Sequence, residues 1–309
     1  MANELVSLGL ACADVMAKPV DSCPERGKLS LVPQLEMHMG GLAAVTATVF
    51  SKLGGNAAFM GKLGDDGFGD YLLQDLQRSG VDTTHVCRVA GKGSASTVVL
   101  VSTDGERSFL HHPGAAAELG EGDVDWDAIK KAKILHWGGP AVTPGLDGEP
   151  IGRVLRQAKE IGLMTSMDTC YDGTGLWFNR IKYALPHLDI VMSSIEEARQ
   201  YTGKQTPEEI ADFYRSFGPD IVLVKLGAEG LYVKSAQEAY HIPAHHVVPI
   251  DTTGAGDAAC GGLLFGIINK WNLKECARLA NAVGALTVQA MGGAEGVRSL
   301  EQALTQMNI

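Results

Sequence analysis

The stretch Asp251-Thr252-Thr253-Gly254-Ala255-Gly256-Asp257 constrains this chain more than any other. Residues 247–250 before it read as the end of an extended segment. Residues 258–266 after it are small and apolar without proline, as a buried helix requires. A glycine-rich turn is thereby set at a helix N-terminus, where unpaired backbone N–H groups and the positive end of the helix dipole attract an anion. Gly254, Ala255 and Gly256 carry no side chain large enough to hold a ligand away from that backbone. Asp257 is out of place beside an anion, unless it takes a proton from a group attacking that anion. Amides that hold charge on phosphoryl oxygens, with a carboxylate as base, describe phosphoryl transfer to a hydroxyl.

Three rival readings have to be weighed against this one. Gly254, Gly256 and Ala259 satisfy a dinucleotide fingerprint in its Gly/Ala form, with Glu275 near the expected distance downstream. That unit needs a second strand after its helix, whereas residues 272–309 read as helices around a short glycine-rich loop. A turn that merely caps a packed helix is the bland alternative. A P-loop is excluded because the nearest approach, from Gly55 to Gly61-Lys62-Leu63, has the wrong spacing and no hydroxyl.

At 309 residues the chain buries a substantial core. Its net charge of −10, with no lysine or arginine cluster, argues against nucleic acid and against an anionic membrane surface. An acidic protein that handles phosphates needs local donors: backbone amides, a few cations, or Mg²⁺. No apolar run approaches membrane-spanning length, and residues 1–7 lack the pattern of a signal peptide. Six scattered cysteines without a C-x-x-C fit free thiols in a reducing, cytoplasmic setting. The pairs His111-His112 and His245-His246 are read as exposed or substrate-facing, since neighbours on a strand point to opposite faces.

Along the chain, residues 5–11 suit a buried strand that ends near Asp14, either a turn residue or a ligand contact. Residues 20–39, with prolines nearby, read as an extended excursion. A helix is expected over 42–53, a strand over 56–61 and a helix over 70–79. Short alternating segments follow at 85–89, 95–102 and 107–112, with a hairpin signal at 103–106. From residue 126 strands and helices alternate: 134–137, 149–161, 163–167, 175–185, 189–192, 194–201, 206–217 and 220–225, then paired strands at 230–234 and 239–242. This rhythm argues a three-layer α/β domain with a mostly parallel sheet, carrying a small separate β-sheet.

The 251–257 stretch, with Gly261 and Gly262 following, closely resembles the C-terminal signature of the ribokinase-like (PfkB) carbohydrate kinases. An N-terminal signature of the same family stands upstream: Gly40-Gly41, Ala47, Gly54, and Gly61-x-x-Gly64-Asp-Asp-x-x-Gly69. The resemblance covers essentially the whole of residues 1–309. It implies a ribokinase-like αβα fold with a β-sheet lid, formed by segments near 15–39 and 85–113, that closes over a sugar and often makes a homodimer contact. By position Asp257 matches the catalytic base, and Gly254, Ala255 and Gly256 the anion hole. Asp14 and Gly41 match sugar contacts. Lys225 and Gly227 match the strand and turn that meet the nucleotide, and Asn281 a residue near adenine. Glu197 falls at the glutamate that organises Mg²⁺ through water, and Asp251 is implied to help hold a monovalent cation such as K⁺. ATP and Mg²⁺ are the cofactors implied.

Departures from the family pattern touch specificity more than chemistry. Val45 replaces an asparagine that contacts the sugar, Ser194 replaces the asparagine of Asn-x-x-Glu, and alanine follows Gly114 where family members often have asparagine. Asp172 stands where an arginine is frequent, which argues against a phosphorylated sugar or sugar acid. The leading expectation is an ATP-dependent kinase for a small sugar or polyol. The alternatives are a nucleoside kinase, with a base pocket from Val45, Phe109 and Trp137, and a catalytically idle sugar- or nucleotide-binding module.

Overall fold

β1 (Leu5–Gly9) is buried along its whole length, and the chain leaves the large sheet directly after it. β2 (Cys12–Lys18) and β3 (Gln34–Gly40) pair antiparallel in a second sheet before α1 (Leu42–Lys52) returns to the main body. β4 (Ala57–Gly64), α2 (Gly67–Arg78) and β5 (Val86–Val89) follow, and β6 (Ser96–Val101) and β7 (Arg107–His112) then rejoin the second sheet. The alternating part comprises α3 (Trp126–Ile129), β8 (Ile134–Gly138), α4 (Glu149–Glu160), β9 (Met164–Asp168), α5 (Phe178–Ile181) and β10 (Ile190–Ser194). It continues through α6 (Ile195–Thr202), α7 (Pro207–Arg215), β11 (Ile221–Lys225), β12 (Leu231–Lys234) and β13 (Ala239–Ile242). α8 (Ala255–Ile268), α9 (Leu273–Thr287) and α10 (Leu300–Met307) close the chain. The computed structural model describes residues 3–103 and 106–308.

The large sheet has the order β13-β12-β11-β10-β9-β8-β1-β4-β5, and the small one β3-β2-β6-β7. Only the β11–β12 and β12–β13 pairs of the large sheet run antiparallel. From β1 the chain winds one way through β4 and β5 and the other way through β8 to β11. The strand order therefore reverses beside β1, the place where an open α/β sheet forms a crevice at the carboxyl ends of its strands. One core lies between the sheet and α1, α2, α8, α9 and α10, and the other between the sheet and α3 to α7. The result is the expected αβα sandwich with a small second sheet.

The composition of α8 follows from its position. A Cβ at Gly261 would stand 2.9 Å from the Thr46 carbonyl oxygen on α1, and one at Gly262 3.1 Å from Ala280 Cα on α9. Only small residues let α8 lie between two neighbours that close. Side-chain caps fix where other helices start: Ser194 caps α6, Asn272 caps α9, and Thr206 with Glu209 forms a capping box on α7. No helix among the described residues is long and apolar enough to cross a membrane.

Several segments differ from the sequence reading. β5, expected in the small sheet, pairs parallel with β4 as the edge of the large one. Asp14 lies in the middle of β2 rather than at the end of the first strand, so the small sheet starts earlier than residue 15. Residues 247–250 are not a strand; they cross from the sheet edge to α9, where Ile250 N–H donates to the Val288 carbonyl. The hairpin between β6 and β7 forms as an antiparallel pair, although Asp104 and Gly105 of its turn lie outside the described residues. The outward face of the small sheet exposes Leu35, Met37, Val98 and Leu110.

Candidate active site

Gly254 caps α8 in the left-handed region (φ 70°), which sets Ala255, Gly256 and Asp257 as its first three residues. Amides of a first helical turn lack intrahelical acceptors, so this end of α8 presents N–H groups to the crevice. Thr46 Oγ1 on α1 donates to the Asp257 carbonyl at 3.1 Å and ties the turn to the neighbouring helix.

Beneath the loop, three strand ends bring charge together. Lys225 Nζ, at the end of β11, donates to both oxygens of Asp168 at the end of β9, at 2.7 and 2.8 Å. Glu197 in the first turn of α6 accepts from Thr169 Oγ1 at 2.7 Å. Burial pushes the Asp257 carboxyl up to about 8; the charges of Asp168 and Glu197 act in the same direction, and Lys225 opposes them. Burial also raises Glu197, with Lys225 opposing and Asp168 reinforcing. Burial alone would lower the Lys225 ammonium, but Asp168 and, behind it, Cys260, Glu197 and Asp257 together more than offset that and hold it charged. The arrangement is a carboxyl group at a helix N-terminus, backed by a lysine–aspartate ion pair.

The small sheet supplies the other wall. Register across its four strands puts His38, Asp14, Thr97 and His111 in one row, facing the main body. Asp14 is only 8 % exposed, and its carboxylate lies against Gly40, where a Cβ would come within 2.0 Å of Oδ2. Burial pushes Asp14 up to about 6, against hydrogen bonds from Cys12 and Thr97; Asp251 adds to the rise, and His38 opposes it. Thr97 Oγ1 also lies 3.1 Å from His111 Nδ1. Gly41 caps α1 with φ 96°, and a Cβ there would meet the Leu10 carbonyl oxygen at 2.6 Å, so this glycine lets α1 start against the β1–β2 junction. Asp14→Asn is expected to raise the acceptor KM roughly tenfold to hundredfold through loss of a charged acceptor. The KM for nucleotide, measured in the same assay, should stay unchanged.

The two walls are joined by Arg107 of β7, which donates to Thr253 Oγ1 at 2.9 Å and lies 3.7 Å from Asp251. Asp251 accepts from the Thr253 amide and hydroxyl through Oδ1 and from the Gly292 amide through Oδ2. Its carboxylate thus takes three protein donors and faces a guanidinium.

Other expected residues fall in various places. Gly227 begins a short 3-10 turn directly after β11, and Asn281 Nδ2 on α9 donates to the Pro243 carbonyl at 2.8 Å. Val45 is fully buried in α1 and packs against Gly293, so it presents no surface to a ligand. Trp137 is also fully buried, in the core on the opposite side of the sheet from α8. Of the base pocket envisaged from Val45, Phe109 and Trp137, only Phe109 is exposed. Asp172 accepts from Trp177 and Thr174 and pairs with Arg180, which also pairs with Asp147. That carboxylate therefore braces loops where the family pattern has an arginine.

The sequence reading missed Asp168 as the partner of Lys225, Arg107 as a bridge, and the Thr97–His111 row. Period-2 alternation in β6 and β7 would have aligned Arg107 and His111 on one face; nothing local in the sequence pairs β9 with β11 across β10.

Comparison with known proteins places this site in a family. The pfkB family carbohydrate kinase pattern matches residues 2–300, and the chain belongs to that family. It is 33% identical over 296 residues to fructokinase-1 of Oryza sativa, covering 88% of this chain and 90% of that one. It is 32% identical over 268 residues to aminoimidazole riboside kinase of Salmonella typhimurium, covering 82% of each. The ribokinase of Arabidopsis thaliana, solved in complex with ribose and ATP, superposes with a TM-score of 0.87 at 25% identity over the whole of both chains.

Proposed function

We propose that this protein transfers the γ-phosphoryl group of ATP to a hydroxyl of a small, uncharged sugar or related polyol. The observation that carries the reading is the carboxyl of Asp257 in the first turn of α8, set over the Lys225–Asp168 ion pair, with Asp14 buried on the small sheet that Arg107 ties to the same loop. Asp14 accepts hydrogen bonds from acceptor hydroxyls and orients one of them. Asp257 takes the proton of that hydroxyl as its oxygen bonds to phosphorus, the bond to the β-phosphate oxygen breaks, and ADP leaves. Amides at the start of α8 hold the charge on the transferring oxygens, where preorganised donors act most strongly. The small sheet covers the acceptor and excludes water, which Asp257 would otherwise activate.

Among the described residues no three His, Cys, Asp or Glu side chains converge to bind a metal ion directly. Glu197 beside Asp168 makes an anionic wall suited to a hydrated cation, and this is where Mg²⁺ arriving on the nucleotide would be held through water. When bound, Mg²⁺ screens the phosphate charge. Asp251 already accepts from Thr253 and Gly292, so a monovalent cation would share its carboxylate with three protein donors.

An uncharged acceptor fits the small sheet's row of hydrogen-bonding groups and the engagement of Asp172 and Arg180 with one another. Ribosides form the second acceptor class, supported by the Salmonella relative's name and by exposed Phe109. ADP release across sugars, sugar acids, sugar phosphates and ribosides tests the reading. Turnover is expected with an uncharged polyhydroxy acceptor and not with the acids. Acid-specific turnover, or nucleotide binding with no turnover on any acceptor, would sink it.

A further inference from the structure

We propose that Thr169 is a positioning residue for the nucleotide's Mg²⁺: its buried hydroxyl fixes the Glu197 carboxylate that holds the hydrated metal. The inference rests on the reading of Glu197 as the group that holds that cation through water. Two hydroxyls pin Glu197 from different sides. Ser194 Oγ accepts from its amide at 3.3 Å and fixes its backbone at the start of α6. Thr169 Oγ1 donates to its Oε2 at 2.7 Å and fixes the side chain. A glutamate side chain has rotamer freedom to lose, and this second contact removes it before any ligand arrives.

Thr169 is itself held. Its amide donates to the Met192 carbonyl at 3.0 Å, which carries the β9–β10 pairing one residue beyond Asp168. The residue is 1% exposed, and a β-branched side chain is stiff about its first torsion. A hydroxyl carries one hydrogen, and a carboxylate oxygen only accepts. The Thr169 hydrogen goes to Glu197, so Ser193 Oγ on β10, 2.6 Å away, is the donor to Thr169. That is the shorter of two contacts of Ser193, whose oxygen also stands 3.2 Å from the Ser194 carbonyl. Ser193 is fully buried as well. A directed chain therefore runs from the sheet through Ser193 and Thr169 to Glu197, out of reach of bulk water.

The local sequence gives this chain a particular use. Ser194 stands where the family pattern has the asparagine of Asn-x-x-Glu, and its oxygen is committed to capping α6. Thr169 occupies an open position of the Asp-x-Asn-x-Arg pattern, and from there its hydroxyl reaches the carboxylate. Outer hydrogen-bond partners of this kind orient the groups that hold a metal and tune its affinity.

Thr169→Val keeps the shape and removes the hydroxyl; Thr169→Ser keeps the hydroxyl. Each is compared with wild type, in the full chain, by calorimetric titration with ATP in the presence and absence of Mg²⁺, and by turnover against Mg²⁺ concentration. In Thr169→Val we expect the gain in ATP affinity that Mg²⁺ confers to shrink about tenfold, the lower end of what loss of an outer partner costs. The half-activating Mg²⁺ concentration should rise by a similar factor. Affinity for metal-free ATP and the KM for the acceptor should stay within about twofold, because no contact with either is lost. Thr169→Ser should restore the wild-type gain.

An unchanged gain in folded Thr169→Val would overturn the proposal and leave the hydroxyl a core group that satisfies Ser193. So would an equal loss of affinity with and without Mg²⁺, or a Thr169→Ser that behaves like Thr169→Val. Should Thr169→Val fail to fold, Thr169→Val/Ser193→Ala leaves no hydroxyl facing the new methyl group and carries the same titrations. Glu197→Gln separates the two readings. A wild-type gain there, or no gain in wild type itself, removes Glu197 from the metal site and the proposal with it. Loss of the gain in Glu197→Gln, with none in Thr169→Val, overturns only this inference.

Discussion

Asp257→Asn is expected to lower turnover by about 10²–10⁴-fold, the range that a positioned general base contributes. Affinity for ATP, measured by calorimetry, should change little, since the α8 amides proposed to meet the phosphates remain. The same variant should be more stable than wild type. In the folded protein Asp257 keeps its proton up to about pH 8, against a reference value of 3.8 for the free side chain. Between those values the folded state binds more protons than the unfolded one, so this group's contribution to stability falls as pH rises across that window. Asparagine removes the dependence. The melting temperature of the variant should therefore exceed that of wild type by a margin that widens from acidic pH to about pH 8. A variant that keeps near-normal turnover would dismiss Asp257 as the base, and a constant margin would dismiss its raised affinity for protons.

Gly254→Ala is expected to cripple the protein by a different route. Gly254 has φ 70°, and a Cβ there would come within 2.4 Å of Gly293 Cα. That contact is backbone against backbone, with no flexible side chain to yield. Left-handed strain alone costs about 1–3 kcal/mol for a non-glycine residue. Relief of the clash must move either the 292–293 turn or the start of α8. Turnover should fall about 10²-fold or more as the amides leave their alignment, together with a loss of stability seen in urea titration. Gly256→Ala makes the control. Its Cβ would meet the end of a lysine side chain at 3.0 Å, so stability should suffer far less. Equal losses of stability in the two variants would refute the distinction.

The parts of this molecule that could be read in the sequence are those where short-range pattern and tertiary need coincide. The α8 loop is one: its glycines serve a local turn, and its small residues serve packing against α1 and α9. Alternation gave the strand positions to within a few residues in β8 to β13. Allegiance was harder to read. β5 has the same short, alternating character as β6 and β7, yet pairs with β4 in the other sheet, a choice made by partners far away in sequence. The site shows the same limit. Asp257 could be singled out from its own loop and Asp14 only through the family resemblance, whereas the Asp168–Lys225 pair spans 57 positions and a whole intervening strand. Val45 and Trp137, for which a base pocket and core packing both had to be weighed, are core, since apolar character alone does not say which side of a sheet a residue faces or whether it reaches solvent.

The two walls of the crevice have separate origins in the chain. On the proposed reading the loop that would handle phosphate lies on α8, while the row around Asp14 comes from two detours, one between β1 and α1 and the other between β5 and α3. A change in those detours would then alter which acceptor is held and leave the α8 turn as it is. Relatives at 32% and 33% identity, named for a riboside and for fructose, are what such a division of the chain would allow.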